Sequence, residues 1–92
     1  LAPSGSRVML PTNDDNKYFA YKRTNREGNV KALVILNFQD SCQDITVDLS
    51  NTGIELEQVP VDLVNHAIVP EILSSSYTVT LPAYGYLILG VK

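Results

Sequence analysis

Tryptophan is absent from this sequence, and histidine and cysteine occur once each. The lone Cys42 cannot close an internal disulfide or build a cysteine-rich zinc site, and without tryptophan the Cys…Trp…Cys arrangement of an immunoglobulin domain is excluded. No stretch approaches the roughly 18–20 apolar residues of a membrane helix, and no charged-then-apolar leader stands at Leu1. Positive charge is scarce as well. Seven Lys and Arg against ten Asp and Glu give a net charge of -3, which argues against a phosphate-tracking surface, so neither nucleic acid nor membrane is an expected partner. Lys17, Lys22, Arg23, Arg26 and Lys31 do crowd together, but they flank a turn, where charge keeps strand ends soluble and blocks edge pairing.

What is present is apolar residue in short, patterned runs. At 45% hydrophobic and 18% charged the composition is that of a globular domain. Ninety-two residues make one domain, 1–92, able to bury roughly 60–70% of the surface its unfolded chain exposes. The chain begins at Leu1 without Met, as a processed chain or a piece of a longer one would. The centre of the pattern is Lys17 to Phe38: an aromatic arm, the turn Asn25-Arg26-Glu27-Gly28-Asn29, then an arm in which Ala32, Val34, Leu36 and Phe38 point one way and Leu33 and Ile35 the other. The spacing predicts a hairpin whose second arm is a central strand wanting burial on both faces.

Around it, Arg7 to Leu10 reads as a short strand after a linker, Leu1 to Gly5, and stops at Pro11. Ile45, Val47 and Leu49 alternate with Asp44, Thr46 and Asp48, and Tyr77, Val79 and Leu81 alternate with Thr78 and Thr80, giving two half-buried strands. A weaker strand lies within Glu55 to Val64, where Pro60 favours an edge or a bulge. Asn65-His66-Ala67 is a turn, Ile68 to Leu73 is ambiguous around Pro70, and Gly85 to Val91 is apolar on both faces. Seven or eight short strands with frequent turns and no sustained helical period predict an all-β fold, an antiparallel two-layer β-sandwich with Greek-key-like connections. Its both-face-apolar strands belong in sheet interiors or beneath something else.

YFAYKR (18–23), KALVILNF (31–38), ITVDL (45–49), VDLVN (61–65) and VTLPAYGYLIL (79–89) occur in the order and spacing of strands in another β-domain. The chain resembles the C-terminal all-β domain of α-amylase superfamily enzymes, the glycoside hydrolases that include α-glucosidases and oligo-1,6-glucosidases. Asn37-Phe38 and Pro82-Ala83-Tyr84-Gly85-Tyr86 are the most specific parts of the match, with one proline before Ala83 where many members carry two. The resemblance implies a non-catalytic accessory domain that packs on the catalytic (β/α)8 barrel of its parent and stabilises it. The family's catalytic carboxylates lie on that barrel and have no counterpart here. The alternative is an independent carbohydrate-binding module that recognises α-glucans.

The residues themselves point to no catalytic group, metal ligand or cofactor site. Glu55 and Glu57, if on a strand, share one face with α-carbons about 6.6–6.8 Å apart, and read as a solvated edge. Asp44 and Asp48 are too distant for paired chemistry and read as solubilising. Asn13-Asp14-Asp15-Asn16 lacks the spaced acids and glycine of a calcium loop and reads as an ordinary turn. His66 reads as polar surface, and Cys42 as a small, partly buried filler. Tyr18, Tyr21, Tyr77, Tyr84 and Tyr86 are expected to pack in the core or an interface with hydrogen-bonded hydroxyls. If one of them contacts a glycan, the position outside the last strand, Tyr84, is the first candidate.

Overall fold

Alternation with a period of two turns directly into two sheets with a shared interior. The computed structural model describes residues 5–25 and 31–92, which form seven strands and no helix. They are β1 (Gly5–Leu10), β2 (Tyr18–Asn25), β3 (Lys31–Asn37), β4 (Gln43–Asp48), β5 (Val61–Asp62), β6 (Ser76–Leu81) and β7 (Tyr86–Val91). A five-stranded sheet has the order β1-β2-β3-β7-β5, a second sheet pairs β4 with β6, and every neighbouring pair is antiparallel. After β3 the chain crosses to β4, returns to the edge of the large sheet as β5, crosses again to β6, and comes back beside β3 as β7. This is the sandwich that the sequence predicts. Residues 1–4 of the expected linker and 26–29 of the expected turn lie outside the described residues, while Gly5 and Asn25 belong to β1 and β2 instead.

Register shows which side chains share a face. Leu10, Ala20, Ile35 and Leu87 are cross-strand partners in one row of the large sheet, and Leu33 with Leu89 belongs to the next. Opposite them, Ile45 pairs with Val79 and Val47 with Tyr77. Leu33, Ile35, Ile45, Val47 and Leu89 are completely excluded from solvent, and the whole set forms one hydrophobic cluster. A two-stranded sheet has little stability of its own, and here it is held by this packing and by the segment before β2. Thr12 bridges Val47, Asn13 N–H donates to the Thr46 carbonyl at 3.0 Å, and Asp48 N–H donates to the Pro11 carbonyl at 2.9 Å, which covers the far edge of β4.

The long connection from β4 to β6 closes the sandwich without regular structure of its own. Leu49, Ile54, Val69 and Ile72 plug into the cluster, and Gln58 bridges Ile72. Asn51 and Gly53 take positive φ in the turn after β4, as the Ser50-Asn51-Thr52-Gly53 composition predicts. β5 is a two-residue edge strand directly after Pro60, whose missing N–H would break a longer ladder. The buried polar groups are satisfied internally. Tyr18 donates its hydroxyl across the interior to Gln43 Oε1 at 2.7 Å, and Tyr77 donates to the Pro70 carbonyl at 2.7 Å. The Asp62 carboxylate accepts from Asn65 N–H at 3.0 Å and Val64 N–H at 2.9 Å, locking the turn after β5.

These contacts set two expectations. Ile35→Ala opens a cavity between the sheets and should cost about 2–5 kcal/mol in urea unfolding, with the slope against urea unchanged. The N–H donors of Asn65 and then Val64 hold the Asp62 carboxyl below its ordinary value, and the Ser50 hydroxyl and N–H do the same for Asp48. A carboxylate depressed on folding contributes stability that is full above the unfolded value near pH 4 and is lost as pH falls through the folded value. Burial pushes the Tyr77 phenol up to about 12, so its contribution is full below about pH 10 and disappears as pH rises from about 10 toward 12. Unfolding measured across pH should therefore show a plateau with two flanks, and Asp62→Asn should make the acid flank shallower while Tyr77→Phe does the same for the alkaline one.

Candidate functional site

A sandwich has two outer faces, and in this domain they differ in kind. On the two-stranded sheet the outward set is Asp44, Thr46 and Asp48 opposite Thr80, Thr78 and Ser76. Thr80 donates its hydroxyl to Asp44 Oδ1 at 2.6 Å, and the Thr46 and Thr78 hydroxyls bond at 2.9 Å. That face is built for water. On the five-stranded sheet the outward rows are Met9, Tyr21, Val34 and Ile88, then Phe19, Leu36 and Tyr86, with Ala32, Gly90 and Val61 beyond. Met9, Tyr86 and Val61 are each more than half exposed, as are Phe38 at the end of β3 and Leu63 after β5.

The aromatic end of this face is ordered by its own contacts. Phe19 meets Tyr21 edge-on at 5.7 Å between ring centroids and Phe38 at 6.3 Å, separations at which aromatic pairs attract. Leu63 lies over Gly90, where an added Cβ would meet its side chain at 3.3 Å. Val34 is covered without belonging to the core cluster, because its shelter comes from outward neighbours alone. This face thus presents Met9, Tyr86, Val61, Phe38 and Leu63 to solvent, where the other presents Asp, Thr and Ser.

At the same end sits a corner held by Asn37. Its amide Nδ2 donates to the carbonyls of Pro82 at 2.9 Å and Ser41 at 3.1 Å, its Oδ1 accepts from Gln39 N–H at 2.9 Å, and its own N–H donates to the Gly85 carbonyl at 2.9 Å. The side chain is fully buried. Pro82 to Gly85 form a β-turn closed by Gly85 N–H donating to the Pro82 carbonyl at 2.8 Å, and Tyr84 N–H donates to the Gln39 carbonyl at 3.0 Å. A Cβ on residue 85 would lie 2.8 Å from the Pro82 ring, so only glycine fits. Tyr84 occupies the third turn position with φ of 54° and is 68% exposed. Glycine or asparagine is usual there, and a bulky residue at positive φ costs about 1–2 kcal/mol. Tyr84 and Tyr86 border an open groove whose other walls include Asp62, Asn65 and Thr80.

The remaining sequence candidates disperse. Tyr18 and Tyr77 are buried with bonded hydroxyls as expected, whereas Tyr84 and Tyr86 stand in solvent. Glu55 and Glu57 do not share a strand face: the segment is irregular, Glu57 has φ of 60°, and its N–H donates to the Ile72 carbonyl. The strand expected in that region is only Val61–Asp62, because the chain must first pass Pro60. Cys42 is exposed rather than a partly buried filler, since it falls one residue out of step with the inward set Gln43, Ile45 and Val47. Asp14 and Asp15 are used inside their own turn, by Asn16 N–H and by the Thr12 N–H and hydroxyl, and Lys17 pairs with Asp14 at 3.8 Å. Among the described residues no three His, Cys, Asp or Glu side chains gather as a metal site would require. His66 is an exposed turn residue with φ of 54°. The basic cluster divides too, as Lys22 and Lys31 donate to the Thr52 and Gly53 carbonyls at 2.6 and 2.8 Å while Arg23 lies on the apolar face.

Sequence reasoning missed the work of Asn37, which it noticed only as part of a family-like pattern. A polar residue closing the run Leu33 to Leu36 was the available signal. No curated protein matches the chain closely enough to count as a relative. The family model described as Maltogenic Amylase, C-terminal domain, matches residues 8–88, from within β1 to within β7. The match includes both the Asn37 corner and the apolar sheet face, so the chain belongs to the maltogenic amylase C-terminal domain family and is a C-terminal domain of the α-amylase superfamily.

Proposed function

We propose that this domain is the non-catalytic partner of a (β/α)8 barrel in the same polypeptide, and that the outer face of its five-stranded sheet packs on that barrel and stabilises it. The observation that carries the reading is the contrast between the two outer faces: Asp, Thr and Ser on one, Met9, Phe19, Tyr21, Leu36, Tyr86 and Ile88 on the other. Covering an apolar face gains roughly 25 cal/mol per Å² removed from water, and interfaces within a chain commonly bury 600–1,500 Å² as order-of-magnitude figures. The parent's chemistry on α-glucans then belongs to the barrel, and this chain by itself should hydrolyse no glycoside.

Met9 and Tyr86 are already more than half exposed in the domain, so charging them harms the interface more than the fold. In the full-length parent enzyme, Met9→Asp and Tyr86→Asp should each weaken thermal stability by about 2 kcal/mol or more, the scale of an interface anchor. Ser76→Lys on the polar face, which sets a cation opposite Asp48, should stay within about 0.5 kcal/mol. Equal effects from both faces would reject the assignment.

A second reading has its own observation, the exposed Tyr84 held at positive φ by a turn that Asn37 fixes. Strained, exposed aromatics persist where function uses them. With Tyr86 beside it and Asn65 and Thr80 across the groove, Tyr84 offers an α-glucan a flat ring to stack on and polar groups for its hydroxyls. Titration with maltoheptaose should give a saturable change in tyrosine fluorescence that Tyr84→Gly abolishes. Because glycine tolerates this backbone, the variant should keep or gain stability, by about 1 kcal/mol. A flat titration of the wild-type chain rejects this second reading and leaves the first intact.

A further inference from the structure

The apolar sheet face carries two like charges that the described residues leave unbalanced. Arg7 on β1 and Arg23 on β2 are direct cross-strand partners, in the row that continues through Ala32 and Gly90 to Val61. Both side chains are exposed on the same side as Met9, Tyr21 and Ile88. Like charges set directly opposite each other on a sheet repel. The strands place no carboxylate on this face: Asp44 and Asp48 are on the far side of the sandwich, and Asp62 faces inward with Leu33 and Leu89. Among the described residues the ion pair is Lys17 with Asp14, away from this sheet face. Among the described residues, a chain with net charge -3 thus gathers two guanidinium groups, and no acid, on its apolar face.

The two groups are also presented in a defined way. The Arg7 guanidinium sits over the Tyr21 ring at 4.9 Å from its centroid, a contact that holds a cation against an apolar surface without neutralising it. Arginine is weakly hydrated and its planar fork fits a carboxylate through two parallel hydrogen bonds, which suits it to ion pairs at interfaces. Lys22 and Lys31 are differently employed, tied to the Thr52 and Gly53 carbonyls.

We propose that Arg7 and Arg23 form the electrostatic end of the docking face and receive one or two carboxylates from the catalytic domain, so that the interface is apolar from Tyr86 to Met9 and ionic beyond. This rests on the reading that the sheet face docks on the barrel, and adds the chemistry and orientation of the surface it meets. Complementary charge at one end fixes which way round the two domains pack, since a reversed docking would set the arginines against apolar surface.

The test uses the full-length enzyme, with the rate of limited proteolysis between its domains as the readout at low and high salt. At low salt the double variant R7E/R23E should release the domain about tenfold faster than wild type, R7Q/R23Q less so, and R7K/R23K least of the three, since lysine keeps the charge but not the fork. At about 1 M salt, where the screening length falls from about 10 Å at 0.1 M to about 3 Å, these differences should shrink to less than about twofold. R7Q/R23Q, which adds no charge to the fold, guards against a misfolded charge-reversal variant. Unchanged or slower release in both double variants would overturn the proposal, the arginines then being solvated charges whose repulsion the substitutions relieve. Silent arginines with a damaging Met9→Asp would sink this inference alone, whereas a silent Met9→Asp would sink the docking reading beneath it. Binding of the enzyme to phosphatidylserine vesicles that is lost in R7E/R23E would also overturn it, by giving the face to an anionic lipid surface.

Discussion

The interior between the sheets fixes everything outside it. Leu33, Ile35 and Leu89 are fully buried against Ile45, Val47, Val79 and Tyr77, and a strand's period of two then leaves its other residues no choice of side. In β4 and β6 those residues are Asp, Thr and Ser, and the outer face is satisfied by water and by cross-strand hydroxyl bonds. In β2, β3 and β7 they are Phe19, Tyr21, Val34, Leu36, Tyr86 and Ile88. A one-residue slip of these strands would bury that set and expose Leu33, Ile35 and Leu89, but it would also strand Asn37 and Asp62, whose hydrogen bonds depend on the register. Polar groups on the core side thus hold the apolar groups on the outer side.

Asn37 extends that control from the sheet to the loops. It joins the end of β3, the turn toward β4 and the turn before β7 through one buried side chain. Leaving any of those partners unpaired in the interior would carry the full cost of its desolvation. The strained backbone at Tyr84 is affordable only because this network over-determines the turn. The apolar face and the exposed tyrosine corner therefore share one support, and membership of the maltogenic amylase C-terminal domain family, over residues 8–88, takes in both.

Much of this was legible in the residue order. Strict alternation at Ile45 to Leu49 and Tyr77 to Leu81 named two half-wet strands, Pro60 marked the edge, and the double-sided apolar runs around Leu33 and Ile88 marked the interior positions of the large sheet. Cys42 and the Glu55–Glu57 pair were misplaced because a loop has no period to read, and a single irregular residue before β4 or before Pro60 shifts every side chain. Arg7 escaped notice beside the Lys17 to Lys31 cluster because cross-strand neighbours are remote in sequence. The same pairing shows that the apparent cluster is no cluster, with Lys22 and Arg23 pointing to opposite faces.

By itself the sequence determined that this chain folds as strands, which of them are wet on one side, and that some are apolar on both, because a period of two and turn chemistry are local properties. It also supplied the family. Only the tertiary structure decided that the surplus apolar residues line one outer face, that Arg7 meets Arg23 there, and that Asn37 pins Tyr84 in a conformation tyrosine rarely takes. Each of these depends on which strands become neighbours and in what register, and that is settled by packing the two sheets together.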